Sequence, residues 1–433
     1  MTNRGRPYPY RNDEKQMRRL VLLAFCDPMP EECEQLRHLS RVQWRSLLHW
    51  LDTSGLALYF LDRLYLSRRL DWLPQPVLAR LEENLVDNME RSNALFVDCV
   101  IIQQQFKQAS ITYAVLKGIS LWPSAVPAPE LRSQLDLDFL LAEKDILKAQ
   151  QILEDNGYQL HAVSGRSWEF KTPHPPSLSI KDLYKNHSGR CVELHVERTM
   201  PDADAQLDHV ETRLFKGYPM PVLPPVELFL GVCLHLYKHV CSEAFRCAHL
   251  VEFRREVISH CNDNAFWNRV RARAENKPRE RLALGVVTLL ATHAIGPFAP
   301  ETLTSWTVDR LPTPVRLWVE THGVRSALAS FPGSKLYLLL QRELESEGVV
   351  PKRSAQRALL PLRLPPPIAC ESKHASVLLR IKGSWKQFQY ICLRLRFHIV
   401  EGLRYAWEAQ RWRRQVHQLF IEASPRTEAK PTN

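Results

Sequence analysis

Glycine is scarce in this chain, 15 residues of 433 against 30 prolines. That balance, with many Leu/Arg/Glu/Gln stretches, predicts helices joined by proline-punctuated connections. No run reaches the roughly eighteen uninterrupted apolar residues that a spanning helix needs. The best stretches, Val226–Leu236 and Leu284–Ile295, are short and flanked by charge or proline, so no transmembrane segment is expected. The opening residues MTNRGRPYPYRNDEKQ lack an apolar h-region, which argues against a secretory signal. Ten cysteines are scattered without a C-x-x-C pair or regular spacing. That excludes a disulfide scaffold and fits a reducing, cytoplasmic setting. There is no internal repeat and no low-complexity tract.

What is present is an ordinary globular composition, 45% apolar and 24% charged. The net charge of +11 is confined to one end: residues 351–433 hold 16 Lys/Arg and 5 Asp/Glu, leaving 42 of each in 1–350. The main body is neutral, so the basic balance says nothing about its chemistry.

The patterning predicts an α+β chain. Residues 1–109 read as helical: Gln43–Leu70 with an interruption near Ser54-Gly55, then a long helix from Val77 whose apolar stripe includes Leu81, Leu95, Cys99, Ile102 and Phe106. Asn88 and Ser92 interrupt that stripe. Residues 110–200 read as a compact mixed core. Strands are expected at Ile111–Leu116, Leu135–Leu141, Tyr158–Val163, Trp168–Lys171, Ser177–Leu183 and Cys191–Val196, with a helix over Glu143–Asn156 ended by Gly157. Residues 201–345 return to helix, at Val226–His239, Ala244–Ser259, Phe266–Glu275 and Arg279–His293. Residues 346–433 form a proline-rich linker and a basic helical tail.

The most informative hexapeptide is Leu135-Asp136-Leu137-Asp138-Phe139-Leu140. Residues two apart on a strand share a face, so both carboxylates project to one side. Side by side in a buried sheet they repel and are costly to desolvate, and a divalent cation removes both penalties. Mg²⁺, or Mn²⁺, suits hard oxygen ligands of this kind. Alone the pattern is weak, because exposed edge strands carry such pairs. Upstream, a β-run ends in Leu116-Lys117-Gly118, with Ser120 beyond; a glycine turn lets backbone N–H groups approach a triphosphate. Downstream, Val192-Glu193-Leu194-His195-Val196-Glu197 shows Glu193, His195 and Glu197 along one polar side, offering a third carboxylate for a second metal or for proton abstraction.

These segments, with the helix and Gly-Tyr of EKDILKAQQILEDNGY and the later PVELFLGVCLHLYKHVCSEAFRCAHLVEF, resemble the uncharacterised nucleotidyltransferase family of bacteria, within the polymerase-β-like superfamily. The resemblance covers roughly residues 40–290. Arg132, Asp136, Asp138, Gly157, Tyr158, Glu193 and His195 stand where its pattern wants them. It departs at Val196, where an aromatic is usual, and near Glu252, where an aspartate is usual. The resemblance implies a small mixed-sheet nucleotidyltransferase core flanked by N- and C-terminal helical regions. It implies Asp136, Asp138 and Glu193 as metal and catalytic residues, with Glu197 as the substitute third carboxylate. Gly118 and Ser120 line the phosphate turn, and Lys117 and Arg132 neutralise phosphate; for Arg132 a salt bridge to a nearby carboxylate is the alternative. NTP is then the co-substrate. The acceptor is a small molecule, a surface-polymer precursor, a peptide or an RNA end. A non-catalytic nucleotide- or partner-binding protein on the same fold is the alternative function.

Two further signals carry less. His235 and His239 have the i, i+4 spacing of helical zinc ligands, but the glutamate of a metalloprotease helix is missing. Cys241, Cys247 and His249 do not complete any common zinc spacing. The histidines are expected to face the catalytic domain or to make an interhelical hydrogen bond. The tail interleaves Trp385, Phe397, Trp407 and Trp412 with arginines, so 376–420 reads either as a contact with an anionic membrane surface or with nucleic acid, or as a terminal helical hairpin with core aromatics and solvated arginines.

Overall fold

The computed structural model describes residues 10–173, 182–186, 189–197, 205–243, 245–348, 358–359 and 377–423. Four helices lead: α1 (Tyr10–Leu23), α2 (Arg41–Ser54), α3 (Ala57–Leu66) and α4 (Gln75–Gln108). The predicted interruption at Ser54-Gly55 has a local cause. Gly55 sits at φ 74°, a left-handed conformation that ends α2. At its other end, Ser40 and Gln43 cap α2 reciprocally. The sheet follows: β1 (Tyr113–Leu116), β2 (Leu137–Leu141), helix α5 (Ile146–Asp155), β3 (Gln159–Ser164), β4 (Ser167–Lys171), β5 (Cys191–Val196), β6 (Glu211–Phe215) and β7 (Tyr218–Val222). Helices α6 (Pro225–Val240), α7 (Ala248–Ser259), α8 (Asn264–Ala274) and α9 (Pro278–Ile295) come next, then shorter helices and the long helix Val377–Ala423. The expected strand Ser177–Leu183 falls largely outside the described residues.

The strands form one mixed sheet in the order β3-β4-β5-β2-β1-β7-β6. β2 runs parallel to β5, and β1 antiparallel to β2, so β5, β2 and β1 are neighbours at its centre. Alternation along these strands divides the side chains. Val115, Leu137, Phe139, Leu141, Val192 and Leu194 are buried with Cys99, Ile102 and Phe106 of α4 and Ala149 and Leu153 of α5. The opposite face carries Leu116, Asp138, Leu140, Glu193 and His195. A separate, larger core joins α1–α3 to α6–α9. The 34-residue α4 spans both cores, through Val77 and Leu81 at its start and Leu95 to Phe106 at its end.

The polar interruptions of the α4 stripe have a structural purpose. The Asn88 side chain donates to the carbonyls of Glu130 and Arg132, and Ser92 Oγ donates to the carbonyl of Pro129. Together they hold the loop that feeds the aspartate pair.

The sheet continues past residue 200 in the hairpin β6–β7, within the stretch 201–345 that the sequence reading assigns to helix. A two-residue turn of Lys216 and Gly217, both at positive φ, joins them. Pairing starts at Phe215↔Tyr218, so Pro219 and Pro221 fall at positions whose missing N–H would point away from β6. Towards β1, β7 pairs only at Val222, and few bonds are lost there.

The C-terminal helix is docked along part of its length. Trp412 is 1% exposed within the helical core, and its Nε1 donates to Glu343 Oε1 at 2.8 Å. Phe397 is also buried, and Arg394 pairs with Glu243. Trp385, Phe388 and Trp407 remain exposed.

Candidate active site

The turn after β1 is not the start of a regular helix. Gly118–Leu121 is a single 3₁₀ turn in which the Lys117 carbonyl accepts from both the N–H and the hydroxyl of Ser120. Ser120 therefore holds the turn itself. Lys117 and Gly118 both lie at positive φ, 49° and 42°. A Cβ on Gly118 would collide with the side-chain amide of Gln134, and that amide donates to the Asp136 carbonyl at 2.6 Å. The glycine thus lets the turn and the aspartate segment lock together.

The strained backbone of Lys117 carries its ammonium over the polar face of the sheet. Its Nζ lies 2.8 Å from Asp138 Oδ1 and 3.6 Å from Glu193 Oε2. His195 Nε2 lies 2.9 Å from the same Asp138 oxygen and 3.4 Å from Glu193 Oε2. Parallel pairing of β2 with β5, Asp138 opposite Glu193, brings these groups together. Asp138, Glu193 and His195 each offer a ligand atom within 4.8 Å of the others. Ser167 of β4 donates to the remaining Glu193 oxygen. Sequence reasoning noted His195 but gave it no role; its alternation with Glu193 was the available signal.

The charges are mutually adjusted. Hydrogen bonding from His195, against a burial penalty and with help from Ser167 and Lys117, holds the Glu193 carboxyl far below the ordinary range. Burial opposes the charged forms of Lys117 and His195, but the neighbouring carboxylates outweigh it and raise both pKa values. Asp136 differs. β2 begins at Leu137, so Asp136 precedes the ladder and stands outside the close cluster. Burial first, then the Asp138 charge, raises its pKa from 3.8 to about 6, despite Lys117 and Arg132.

That shift has a consequence for stability. A carboxyl that holds its proton more tightly folded than unfolded makes the metal-free protein less stable as pH rises from about 4 to about 6, and leaves it so above. Asp136→Asn removes the penalty. Allowing for partial exposure, the variant is expected to gain about 1–2 kcal/mol at pH 7 in chelator and nothing below pH 4. Urea unfolding at the two pH values reads the difference.

Arg132 is turned inward. Its Nε donates to Glu252 Oε1 at 3.0 Å, Tyr59 OH donates to the same oxygen at 2.9 Å, and His249 Nδ1 lies 3.0 Å from Glu252 Oε2. Glu252 is 2% exposed. Burial alone would favour its neutral form; Arg132 and His249 hold it ionised instead. Of the two ways to read Arg132, the structure displays the salt bridge. Glu197 Oε1 accepts from the Leu207 N–H, so its carboxylate is engaged with backbone while Glu193 faces the cluster.

Lys117 also borders a cavity of about 110 Å³ between the sheet and α6–α7. Leucines of β1 and α6 form its apolar wall, and Arg132, His235, His249 and Glu252 its polar side.

The donor set fits a hard divalent cation. Three acidic side chains, Asp136, Asp138 and Glu193, act on Lys117 together. They leave an excess of negative charge that Lys117, even together with a protonated His195, does not cancel.

The family model described as uncharacterised nucleotidyltransferase matches residues 40–296. No curated protein sequence matches the chain. Among solved structures it is similar to the lincosamide antibiotic adenylyltransferase LnuA in its lincomycin-bound form. The identity is 17% and the TM-score 0.22, over 30% of this chain and 82% of that one. It is also similar to an antigenic nucleotidyltransferase-like protein from Paracoccidioides brasiliensis, at 13% identity and a TM-score of 0.27, over 52% of this chain and 97% of that one.

Proposed function

The chain belongs to the uncharacterised nucleotidyltransferase family, and from that premise we propose a metal-dependent enzyme that moves a nucleoside monophosphate from an NTP to an acceptor. An acceptor oxygen attacks the α-phosphorus, and the bond to the bridging oxygen breaks, releasing pyrophosphate. The observation that carries this reading is the Asp138–Glu193–His195 cluster around Lys117.

In this reading Asp138 and Glu193 hold Mg²⁺ or Mn²⁺, with Asp136 completing the acidic set. The bound ion supplies electrostatic stabilisation of the charge that develops on the transferring phosphate. Ser167 and the strand pairing fix Glu193, and His195 fixes Asp138, so the carboxylates need little reorganisation. Lys117, already charged and bordering both cluster and cavity, orients the triphosphate. Gly118 and Ser120 set that lysine by shaping its turn. Arg132 acts at one remove, by anchoring the loop before Asp136.

The largely apolar wall of the cavity, with a few polar groups gathered on one side, favours a small-molecule acceptor, because sites for such ligands are mostly apolar with a small number of placed polar groups. Purified protein with Mg²⁺, labelled NTPs and separate metabolite and RNA fractions tests this. Pyrophosphate release that depends on the metabolite fraction is expected. Release that depends on the RNA fraction alone would overturn the acceptor class.

A contact with an anionic surface is proposed for the exposed side of the C-terminal helix. Trp385 and Phe388 stack at 5.7 Å, and both are more than half exposed within a basic segment. Binding to vesicles containing anionic lipid is expected to fall about tenfold in the Trp385→Ser, Phe388→Ser double variant and to weaken with salt. Equal binding by both proteins would remove the surface role. Among the described residues, no helix is long and apolar enough to cross a membrane.

A further inference from the structure

Three imidazoles meet on the other side of the cavity. His235 and His239 stand one turn apart on α6, and the packing of α7 against α6 adds His249, near the start of its helix. Their ring centroids are 4.7–4.9 Å apart in all three pairs. One ligating nitrogen of each lies within 4.8 Å of the other two. Tetrahedral coordination at about 2.0–2.1 Å places imidazole nitrogens about 3.3 Å apart. Small side-chain rotations therefore suffice.

The surroundings select for a metal. His249 Nδ1 faces Glu252 Oε2 at 3.0 Å, so in the neutral ring Nδ1 carries the proton donated to that carboxylate and Nε2 is the lone-pair nitrogen. A carboxylate behind a ligating imidazole fixes its tautomer and raises its basicity. Burial, and then the nearness of His249 and His239, keeps His235 neutral, with its pKa lowered to about 2. Neutral imidazole is the form that binds metal. His235 and His249 also line the cavity, so a fourth position would open there.

We propose that His235, His239 and His249 form a second metal site, a three-imidazole centre for a first-row transition ion of the zinc class, open to the cavity. Three nitrogens suit zinc, cobalt or nickel rather than magnesium. The two centres thus differ in chemistry: oxygen-rich at Asp138 and nitrogen-rich at His235. The open position takes an oxygen or nitrogen lone pair from whatever occupies the cavity. The site is built by the helical histidines alone and is independent of nucleotidyl transfer.

The test uses the full chain stripped with chelator and titrated with Co²⁺. Wild type is expected to take up one equivalent with the visible absorption of four-coordinate cobalt. Asp138→Asn should retain that band, whereas His239→Ala and His235→Gln should lose it, with affinity down at least a hundredfold. Circular dichroism of the stripped variants confirms folding, and Zn²⁺ should raise the unfolding temperature of wild type in any case. A band absent from wild type, unchanged in both histidine variants, or lost only in Asp138→Asn would overturn the site.

Discussion

Asp138→Asn is expected to lower NTP turnover at least a thousandfold while leaving the fold intact. The side chain is 2% exposed and receives both Lys117 and His195 on one oxygen. Asparagine keeps its size but removes the charge that couples a divalent ion to the phosphate. Metal electrostatics supply several kcal/mol of transition-state stabilisation, and a thousandfold is about 4 kcal/mol. The fold survives because Lys117 retains Glu193 at 3.6 Å, and the β2–β5 ladder is backbone pairing. Pyrophosphate release against unchanged circular dichroism is the measurement. Turnover above a tenth of wild type would remove Asp138 from the metal site.

Arg132→Met should be the most destabilising single change near the site, at about 3–5 kcal/mol, because it strands the Glu252 charge in the core. Tyr59 and His249 remain as partners, but neither carries the full positive charge that opposes desolvation. The double variant Arg132→Met, Glu252→Gln should recover most of that loss, since a neutral amide keeps hydrogen-bonding capacity without a buried charge. Urea unfolding of both variants gives the comparison. An Arg132→Met protein of normal stability with a large rise in NTP KM would assign the guanidinium to phosphate instead.

The carboxylates were legible in the sequence because strand alternation is local: Asp138 and the Glu193-x-His195 pair announce their faces within a few residues. Their meeting is not local, but two short strands in one small core leave few ways to pair. What escaped reading depends on distant partners. Asn88 interrupts an apolar stripe in the sequence, and only its distant carbonyl partners at Glu130 and Arg132 give it a role. Glu252 lies 120 residues from Arg132, and no spacing rule links them. His249 is separated from His239 by a turn whose course periodicity does not predict. The β6–β7 hairpin hid behind prolines that cost its own ladder nothing. Asp136 shares a nominal face with Asp138 by counting, yet the ladder begins one residue later.

Whether Asp138 and Glu193 hold the ion that serves the nucleotide is decided by a crystal structure with Mn²⁺ and a non-hydrolysable NTP. An anomalous peak is expected at about 2.0–2.2 Å from oxygens of Asp138 and Glu193, with the Lys117 ammonium moved from Asp138 to the phosphates. Nucleotide bound elsewhere, with the Lys117–Asp138 pair still closed at 2.8 Å and no peak beside it, would contradict it.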